Sequence, residues 1–306
     1  MVDVSVLILN YKSKEWVWRN LTALKQSIEY TQKKNVTFEV IVIDGTEGGD
    51  GTCPMVWENF KEFSCLDLKK NLGFPSGNNQ GLKVAKGRYI LLLNPDALVE
   101  DNTLAQMVEF MDLRTDVGVA TCKLVLLKTG KIDPASHRGV PTPWASLMYY
   151  TKLEAIFPRS KLFGGYHMGW EDLEREHEIG ACAGSFMMIR RQALEAIGGK
   201  FDEAYYMYAE DIDTCFRILK KGWKIMYYPY VKCFHYKGSN SGIKKETQKE
   251  TLVSKEGKIK AINAFWDDNK LFFNKHLKSH LPLFVTYLVY IGVYVKKWIA
   301  LKRLHV

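Results

Sequence analysis

The sequence lacks the short motifs that mark several common classes of protein. Its six cysteines form no CxxC pair, which disfavours a zinc ribbon or a disulfide framework and predicts reduced thiols in the core of a cytosolic protein. There is no GxxxxGKS segment and no GxGxxG after the first apolar run, which argues against a P-loop and a dinucleotide-binding domain. The N-terminus has the pattern of a strand rather than of a signal peptide. The longest apolar run, residues 281–295, is shorter than the roughly 20 residues of a spanning helix, so no transmembrane helix is predicted.

Acidic residues are scarce at the C-terminal end of the chain, and the charge is therefore uneven. The 306 residues carry 43 Lys and Arg against 34 Asp and Glu, a net charge of +9. Residues 1–236 contain 29 residues of each sign, whereas residues 237–306 contain 14 basic and five acidic residues. With 47% hydrophobic and 13% aromatic residues, the composition is that of a globular protein. We therefore predict a neutral globular domain, residues 1–240, followed by a basic helical extension, residues 241–306.

Short apolar runs alternate with helix-type patterns through the first part of the chain. The runs are rich in β-branched and aliphatic residues and predict strands, at residues 4–9, 38–44, 64–68, 89–93 and 117–125. The segments between them have the helical spacing of apolar residues. This alternation predicts an α/β fold with a mostly parallel central sheet that is covered by helices on both faces. Ligands bind such sheets beyond the carboxyl ends of the strands.

Polar side chains follow three of the predicted strands. Asn10 and Asp44 end the first and second strands, and an Asn94–Pro95–Asp96 turn follows the fourth. Because apolar residues precede the turn, an isolated Asp96 carboxylate needs a cation or hydrogen-bond donors nearby. Mg2+ or Mn2+ bridging a diphosphate would meet that need, since both ions prefer hard oxygen ligands. The residues alone leave open the alternative that polar side chains follow strands simply because loops are hydrated.

A glycine-rich segment, NLGFPSGNNQG at residues 71–81, leads into a predicted helix. Gly73 and Gly77 permit a tight loop, and Asn78 lies near the expected start of the helix. Such a segment orients a sugar or a phosphate, or it is simply a turn with an Asn cap.

The densest functional signal is the segment YYMYAEDIDTCFRILKKG, residues 205–222. Its apolar residues have helical spacing, and acids in the first turn with lysines in the last turn suit the helix dipole. An amphipathic helix therefore explains much of the pattern, but it does not explain Glu210 and Asp211 directly behind an aromatic-rich stretch. A carboxylate in that position is well placed to act as a general base. His235, later in the chain, is either an ordinary paired histidine or, with Asp96, part of a metal site.

These segments occur in an order that resembles glycosyltransferase family 2, whose members are inverting enzymes of GT-A fold. The match extends over residues 3–240 and includes the sequences VSVLILNY, EVIVIDG, NLGFPSGNNQGL, GRYILLLNPDA, GACAGSFMMIRRQALEAIGG and YYMYAEDIDTCFRILKKGW. Each sequence is weak alone, whereas the ordered set is highly specific. Within the family, the segment NLGFPSGNNQG followed by LLLNPD most resembles the bacterial rhamnosyltransferase branch. SNSG after His235 and FFNKH at 272–276 are similar to the C-terminal region of that branch.

The resemblance implies roles on the donor side. Asn10 and Asp44 would hold the nucleotide base and ribose. Asp96 matches the last acid of the family's DxD motif and, with His235, would bind Mg2+ or Mn2+ together with the donor diphosphate. Asn94 stands where the family has the first acid of that motif. The further residues expected along the donor site are Asn71, Gly73 and Asn78.

The resemblance also implies roles on the acceptor side. Asp211 would be the catalytic base, with Glu210 beside it to orient the acceptor or a loop. The loop after Asp44 departs from the family pattern, because it reads GTEGGDGT rather than N-x-S-x-D. The residues expected to border the acceptor and the transferred sugar are Gly180, Ala181, Gly184 and Ser185.

Together these expectations describe an inverting, metal-dependent sugar transferase. It would move L-rhamnose from dTDP-L-rhamnose, or the sugar of a UDP-sugar, to a lipid-diphosphate-linked or oligosaccharide acceptor. The reaction would build cell-surface polysaccharide on the cytoplasmic face of the cell membrane. The alternative is a non-catalytic nucleotide-sugar-binding or glycan-binding module that has kept the fold.

The basic extension admits several interpretations. Its lysines, its aromatic residues and the apolar run at 281–295 favour a helix that lies in the interface of an anionic membrane. The same surface could instead join two subunits as a homodimer, and a solvated helical face is the plainest alternative. Nucleic-acid binding is disfavoured, because nothing in the sequence matches a nucleic-acid motif.

Overall fold

The computed structural model describes residues 2–33, 35–237 and 254–304. The strands are β1 (Val4–Asn10), β2 (Phe38–Asp44), β3 (Ser64–Asp67), β4 (Tyr89–Leu93), β5 (Ala97–Val99), β6 (Val117–Leu126), β7 (His177–Glu178), β8 (Phe186–Arg190) and β9 (Lys224–His235). The α-helices are α1 (Lys14–Gln32), α2 (Thr52–Asn59), α3 (Phe74–Leu82), α4 (Thr103–Leu113), α5 (Pro143–Tyr150), α6 (Leu153–Ile156), α7 (Arg191–Glu195), α8 (Glu210–Lys220), α9 (Lys255–His276) and α10 (Leu283–Lys302).

These strands form one mixed sheet in the order β3-β2-β1-β4-β8-β6-β9-β5, with β7 paired to β9. The strands β3, β2, β1 and β4 pair in parallel, and so do β6 and β9. Strand β8 is antiparallel to β4 and β6, while β5 and β7 are antiparallel to β9. Six strands therefore point the same way, which confirms the predicted mostly parallel sheet.

The sheet separates two hydrophobic layers, because side chains alternate between its faces along each strand. In β1, Val6 and Ile8 are buried on the face that carries α1 and α4, whereas Leu7 is buried on the face that carries α8. Helix α3 approaches the sheet closely at Gly77, where a Cβ would lie 2.7 Å from the Leu9 side chain. This contact brings the first turn of α3 to the carboxyl ends of β1 and β2.

The predicted basic extension is partly built into the globular body. Phe272 of α9 is 2% exposed and joins the hydrophobic layer that contains α8, and Trp266 is buried as well. Helix α10 lies along α9, with the ring of Tyr290 6.0 Å from that of Phe273. The boundary predicted between residues 240 and 241 and the lysines at 244, 245 and 249 fall outside the described residues.

Two expectations from the sequence need correction. Helix α10 has 20 residues, because it continues beyond the apolar run through Lys296 and Lys297, and by length and composition alone it could cross a membrane. Cys53 and Cys65 form a disulfide without a CxxC motif, because the first turn of α2 packs against β3. The other four cysteines are free and buried. Since disulfides are rare in cytosolic proteins, the cytoplasmic location stays a prediction.

Candidate active site

Asn10 and Asp44 occupy paired positions at the carboxyl ends of β1 and β2. The Asn10 amide donates hydrogen bonds to Asp44 Oδ1 at 3.0 Å and to Thr52 Oγ1 at 3.1 Å. Asp44 Oδ1 also accepts the backbone N–H of Thr46 at 3.0 Å. Burial raises the pKa of the Asp44 carboxyl above its usual value, against the lowering effect of these hydrogen bonds. The two residues therefore fix the loop that begins just beyond the sheet edge.

The glycine-rich loop lies beside this pair and leads into α3. A Cβ at Gly45 would lie 3.7 Å from the Asn71 Cα, and Asn71 Oδ1 accepts the N–H of Gly73 at 3.0 Å. Gly73 has a φ of +82°, and a Cβ there would lie 2.5 Å from the carbonyl oxygen of Tyr206. Phe74 N–H donates to that same oxygen at 2.7 Å. Because a side chain would not fit at Gly73, the loop is closed against the segment that precedes α8.

Helix α3 begins earlier than the sequence pattern indicates, at Phe74, because a proline follows in its first turn. Asn78 therefore lies inside the helix, where its amide donates to the Phe74 carbonyl at 2.9 Å. The neighbouring Asn79 makes long-range contacts: its Nδ2 donates to the Phe201 carbonyl and its Oδ1 accepts the Phe201 N–H, both at 2.9 Å. Asn79, which is not among the predicted site residues, thus ties α3 to the chain that leads to α8.

The Asn94–Asp96 turn follows β4 and brings two predicted residues together. The Asn94 N–H donates to the Ser185 carbonyl at 3.1 Å. Asp96 is 3% exposed, and its Oδ1 lies 3.3 Å from Nε2 of His235. The contact forms because β5, which begins directly after Asp96, pairs with the end of β9. The two residues predicted to bind a metal are therefore neighbours in the fold.

A second carboxylate, Asp133, completes this buried group. Asp133 Oδ2 lies 3.2 Å from Nδ1 of His235, and its other oxygen pairs with Lys237 Nζ. Although burial lowers the pKa of this histidine, the charge of Asp96 and the hydrogen bond to Asp133 raise the pKa of His235 to about 9. Burial would raise the pKa of Asp133, but its two cationic partners hold that pKa well below the usual value. His235 is therefore an imidazolium between two carboxylates.

Asp133 is not predicted from the sequence, although a signal for it exists. It lies beside a proline in the chain after a strand, as Asp96 does, although Asp133 precedes Pro134 whereas Asp96 follows Pro95. The side chain of Asp133 caps a short 3-10 helix, Pro134–Ser136, by accepting the N–H of Ala135 at 3.0 Å.

Asp96 and His235 offer a donor set that suits a divalent cation. Within the described ranges, no group of three or more His, Cys, Asp and Glu side chains is arranged to hold a metal ion. One carboxylate oxygen and one imidazole nitrogen still fit Mg2+ or Mn2+, because these ions commonly keep water and substrate phosphate among their ligands. Asp133 on the second ring nitrogen matches the carboxylate that commonly orients a metal-binding histidine. The residues present thus fit a cation that is shared with a phosphate-bearing ligand.

Asp211 lies in the first turn of α8 and is held by an arginine. Arg138 Nη2 donates to Asp211 Oδ2 at 2.6 Å and to the Cys182 carbonyl at 3.1 Å. The other oxygen of Asp211 accepts the N–H of Ile212 at 2.8 Å. Since the Asp211 side chain is 14% exposed, the carboxylate is oriented but still reachable from solvent. Arg138 is not predicted from the sequence, because nothing local to it indicates a partner so far along the chain.

Glu210 precedes Asp211 and is a different kind of carboxyl group. It is 7% exposed, and its Oε2 has no hydrogen-bond partner among the residues that the structure describes. Burial, followed by the charge of Asp211, raises the pKa of Glu210 well above its usual value. The adjacent acids therefore differ: Asp211 is ion-paired, whereas Glu210 favours its neutral form.

Replacing Glu210 with glutamine is expected to stabilise the protein at neutral and alkaline pH. A carboxyl group whose pKa is raised by folding is neutral in both states at low pH, and it reduces stability as the pH rises above the unfolded-state pKa of about 4.3. The free energy of unfolding of the parent should therefore decrease as the pH rises from about 4.3 to the folded-state pKa of Glu210. The variant should lack the part of this decrease that Glu210 causes. Urea unfolding across this range measures the effect. Parallel stability profiles of the two proteins would contradict a buried neutral Glu210.

A short stretch of chain connects the group at Asp96 with the pair at Asp211. Asp133 contacts His235, and Arg138, five residues later, contacts Asp211. Five residues span at most about 18 Å even when fully extended. The Asp96 group and Asp211 therefore contact the two ends of one short segment, residues 133–138.

The chain that leads into β8 carries the four residues predicted on the acceptor side. The N–H groups of Gly180 and Ala181 both donate to the Arg138 carbonyl at 2.8 Å. A Cβ at Gly184 would lie 3.0 Å from an aromatic ring at the start of α3. Ser185 Oγ is buried and has no hydrogen-bond partner within the described part of the chain. An unpaired buried hydroxyl is rare in native proteins.

An aspartate of α9 holds the backbone that leads into α8. Asp268 Oδ2 accepts the N–H groups of residues 206–208 at 3.0, 3.0 and 3.2 Å. Asp268 is 6% exposed, and these three bonds offset part of the loss of water around its charge, although burial still raises the pKa of Asp268 above its usual value. The chain then passes through Ala209 at a φ of +62° and enters α8. Asp268 is therefore a positioning residue for Asp211, and it is not predicted from the sequence.

We expect Asp268→Ala to reduce kcat by about 10- to 100-fold, because loosening residues 206–208 displaces Asp211. Hydrogen exchange of the three amides should accelerate in the variant, whereas a loss of global stability alone would not single out this loop. The matched control is Asp267→Ala, which removes only an exposed pair with Lys297 and should keep the parent kcat with a soluble acceptor. Equal kcat values in the two variants would show that Asp268 has no positioning role.

Comparison with known proteins links this geometry to sugar transferases. The family model described as "Glycosyltransferase like family 2" matches residues 2–251. The N-acetylglucosaminyl-diphospho-decaprenol L-rhamnosyltransferase of Mycobacterium tuberculosis is 29% identical over 205 residues, which covers 63% of this chain and 65% of that protein. The rhamnosyltransferase WbbL of Escherichia coli K12 is 26% identical over 177 residues, which covers 54% of this chain and 61% of that protein. This chain thus spans less than two thirds of the length of these relatives.

A solved structure supports the fold. The mannosyltransferase PcManGT from Pyrobaculum calidifontis, in complex with GDP-Man and Mn2+, aligns with a TM-score of 0.57 over 99% of this chain and 72% of that one. Its sequence identity to this chain is 18%, so the likeness concerns the fold alone. It confirms the predicted α/β architecture with a central sheet flanked by helices.

Proposed function

Because the chain belongs to glycosyltransferase family 2, we propose that it moves a sugar from a nucleotide donor to an acceptor hydroxyl with inversion at the anomeric carbon. A single displacement needs a base for the acceptor and charge stabilisation for the leaving diphosphate. The names of the two relatives support rhamnose as the transferred sugar, and dTDP-L-rhamnose is the proposed donor. The longer of these names also supports an acceptor linked to a lipid through a diphosphate.

The observation that carries the proposal is that residues 133–138 contact two different groups of side chains, one at each end. At one end, Asp133 orients His235 beside Asp96. At the other end, Arg138 orients Asp211. The first group suits a cation with its phosphate, and the second is a carboxylate that an acceptor can reach. Asp96 follows β4 at the carboxyl edge of the sheet, where folds of this type bind their ligands.

Asp211 is the proposed catalytic base. Arg138 and the Ile212 N–H each occupy one carboxylate oxygen, and each oxygen keeps further capacity to accept a hydrogen bond. As the acceptor oxygen bonds to the anomeric carbon, its proton passes to Asp211. The bond from that carbon to the donor phosphate oxygen breaks, and its electron pair leaves with the nucleoside diphosphate. Glu210, which favours its neutral form, is proposed to orient the acceptor or the adjoining loop.

The donor is proposed to lie between the Asp96 group and the ends of β1 and β2. Asp96 and His235 would hold Mg2+ or Mn2+, which when bound neutralises charge on the leaving diphosphate. His235 Nε2 would then give up the proton that faces Asp96, while Asp133 keeps the proton on Nδ1. Asn10 and Asp44 would hold the base and ribose through the loop that they fix. The remaining donor contacts are proposed at Asn71, Gly73, Asn78 and Asn94.

The acceptor and the transferred sugar are proposed to lie along the chain before β8. Gly180, Ala181 and Gly184 are proposed to shape this stretch by close packing: a Cβ at Gly180 would lie 2.5 Å from the Val140 nitrogen, and Ala181 is fully buried. The buried hydroxyl of Ser185 can pair with a sugar hydroxyl, which would satisfy an otherwise unpaired polar atom.

An acceptor carried by a lipid requires the protein at a membrane, and α10 supports a position in the membrane interface. Helix α10 runs antiparallel to α9: Tyr290 OH donates to Asn274 Oδ1 at 2.7 Å, and Lys297 pairs with Asp267. Because α9 presents charged side chains to it, α10 in this arrangement is not free to cross a bilayer. We therefore propose peripheral binding at the cytoplasmic face, with a homodimer through α10 as the competing outcome.

A donor screen tests the proposed function. The protein is incubated with Mn2+, a lipid-diphosphate N-acetylglucosamine acceptor and dTDP-L-rhamnose, UDP-N-acetylglucosamine or GDP-mannose. Mass spectrometry of the acceptor should show the addition of one sugar from one donor, and that donor should also raise Tm. A rise in Tm without transfer from any donor would instead identify a non-catalytic nucleotide-sugar-binding module.

A further inference from the structure

Exposed hydrophobic side chains are concentrated on two parts of the described chain. Fifteen of the 22 large hydrophobic side chains that are exposed lie on α10 or on residues 143–163. The second segment contains α5 and α6, and we call it the aromatic insertion. Its Leu147, Ile156 and Leu162 are 50%, 64% and 58% exposed. Soluble proteins rarely leave a continuous apolar surface of this kind uncovered.

The aromatic insertion and α10 meet and form one face. The ring of Tyr150 in the insertion lies 5.6 Å from that of Trp266 in α9. Lys296 of α10 lies over the same Tyr150 ring at 5.2 Å. The apolar side chains of the two segments therefore extend one another across a shared contact.

The exposed charges that these two segments themselves carry are of one sign, although Lys297 of α10 pairs with the exposed Asp267 of α9. Lys152, Arg159 and Lys161 are exposed in the aromatic insertion. Its single acid, Glu154, is buried and pairs with His167. Helix α10 contains three lysines and no acid. Basic side chains next to Trp and Tyr rings are typical of surfaces that bind anionic lipid headgroups.

The aromatic insertion also adjoins the proposed base. The ring of Tyr149 lies 5.3 Å from that of Tyr166, whose carbonyl accepts the N–H of Gly139 at 2.9 Å. Gly139 directly follows Arg138, which holds Asp211. A short series of contacts, through Tyr166 and Arg138, therefore connects the aromatic insertion to the Asp211 carboxylate.

We propose that the aromatic insertion and α10 together dock on an anionic bilayer, and that the insertion brings Asp211 to the membrane surface. A single interfacial helix would attach the protein but leave it free to rotate about the helix axis, whereas two elements define a plane. The docking stands on the exposed surface alone. The placement of Asp211 against a lipid-borne acceptor rests on the proposed function.

Vesicle flotation with matched variants tests the docking. The insertion variant carries Leu147→Ser and Ile156→Ser, and the control variant carries Val84→Ser and Leu113→Ser, which are 46% and 77% exposed elsewhere on the protein. On phosphatidylcholine vesicles that contain phosphatidylglycerol, the insertion variant should bind about tenfold more weakly, because two apolar side chains no longer enter the bilayer. The control variant should bind like the parent. Equal binding of the insertion variant and the parent would overturn the proposal.

Two further readouts distinguish a membrane-docking face from a contact between subunits. With a water-soluble acceptor the insertion variant should match the parent rate, and with a lipid acceptor in vesicles it should be slower. If light scattering finds a dimeric parent and a monomeric insertion variant whose vesicle binding is unchanged, the face is a subunit contact and the membrane proposal is wrong. If no donor supports transfer but the insertion variant still loses vesicle binding, the docking is supported and the proposed function fails.

Discussion

Replacing Asp211 with asparagine is expected to lower kcat by about a thousandfold, with donor binding largely retained. Asparagine keeps the size of the side chain and can still accept a hydrogen bond from Arg138, but it cannot take the proton of the acceptor hydroxyl. Because the proton moves only as the acceptor attacks, the loss should fall on kcat rather than on the Kd of the donor. Initial rates and donor-dependent thermal shifts measure the two quantities separately.

The matched control for this variant is Glu210→Gln, which makes the same kind of change at the adjacent position. Glu210 is buried and its pKa is raised, so its neutral glutamine counterpart should keep kcat within about an order of magnitude. The opposite pattern, in which Asp211→Asn turns over normally and Glu210→Gln is inactive, would assign the base to Glu210 instead.

Replacing Asp96 with asparagine is expected to cause the second large loss of activity. Unlike Asp211→Asn, this change should also weaken binding of the donor. The change removes the carboxylate proposed for the cation and replaces the charged partner, 3.3 Å from His235 Nε2, with a neutral amide. We expect kcat/KM for the donor to fall by about 100- to 1,000-fold, since a catalytic cation contributes several kcal/mol to charge stabilisation. Electron paramagnetic resonance of Mn2+ in the presence of the nucleoside diphosphate should show weaker binding in the same variant.

Asp133→Asn provides the graded comparison for Asp96. Asp133 orients His235 without lying on the proposed cation side of the ring, so its loss should weaken Mn2+ binding by about 10- to 100-fold. Breaking a buried ion pair also destabilises the protein, and urea unfolding of both variants separates that effect from metal binding. If both variants bind Mn2+ like the parent, the group is a structural salt bridge and the metal assignment is wrong.

The sheet and its polar edge could be predicted from the sequence because their signals are local. The strands β1, β2, β4 and β6 are apolar runs; Asn10 and Asp44 end two of them, and Asp96 lies in the turn after β4. The short strands β5 and β7 and the strand β8 are not predicted, and α3 begins earlier than predicted because its first turn at Phe74 contains little helical periodicity.

The residues that join the site together could not be predicted in this way. Arg138 meets Asp211 across 73 residues, Asp133 meets His235 across 102, and Asp268 reaches residue 206 across 62. Each contact depends on how helices and strands pack, which no spacing within a segment reveals. The different environments of Glu210 and Asp211 could not be predicted for the same reason. Both residues lie in the first turn of α8, but Glu210 is buried without a partner for its Oε2, whereas Asp211 pairs with the distant Arg138.

The packing of the C-terminal residues could not be predicted from their composition. Their basic charge predicts a helical extension, and in the structure Asp268 and Phe272 of α9 are buried against the domain that carries α8. The unfavourable burial of the Asp268 carboxylate is offset in part by three backbone N–H groups that only the folded chain supplies.

The anomeric configuration of the product tests most directly whether one displacement, with Asp211 as base, transfers the sugar. Donor labelled with 13C at the anomeric carbon is incubated with Mn2+ and the acceptor, and the one-bond carbon–proton coupling is read by NMR before and after reaction. We predict a new glycosidic linkage whose configuration is opposite to that of the donor. A product with the donor's configuration, formed by a protein that retains Asp211, would contradict the single displacement.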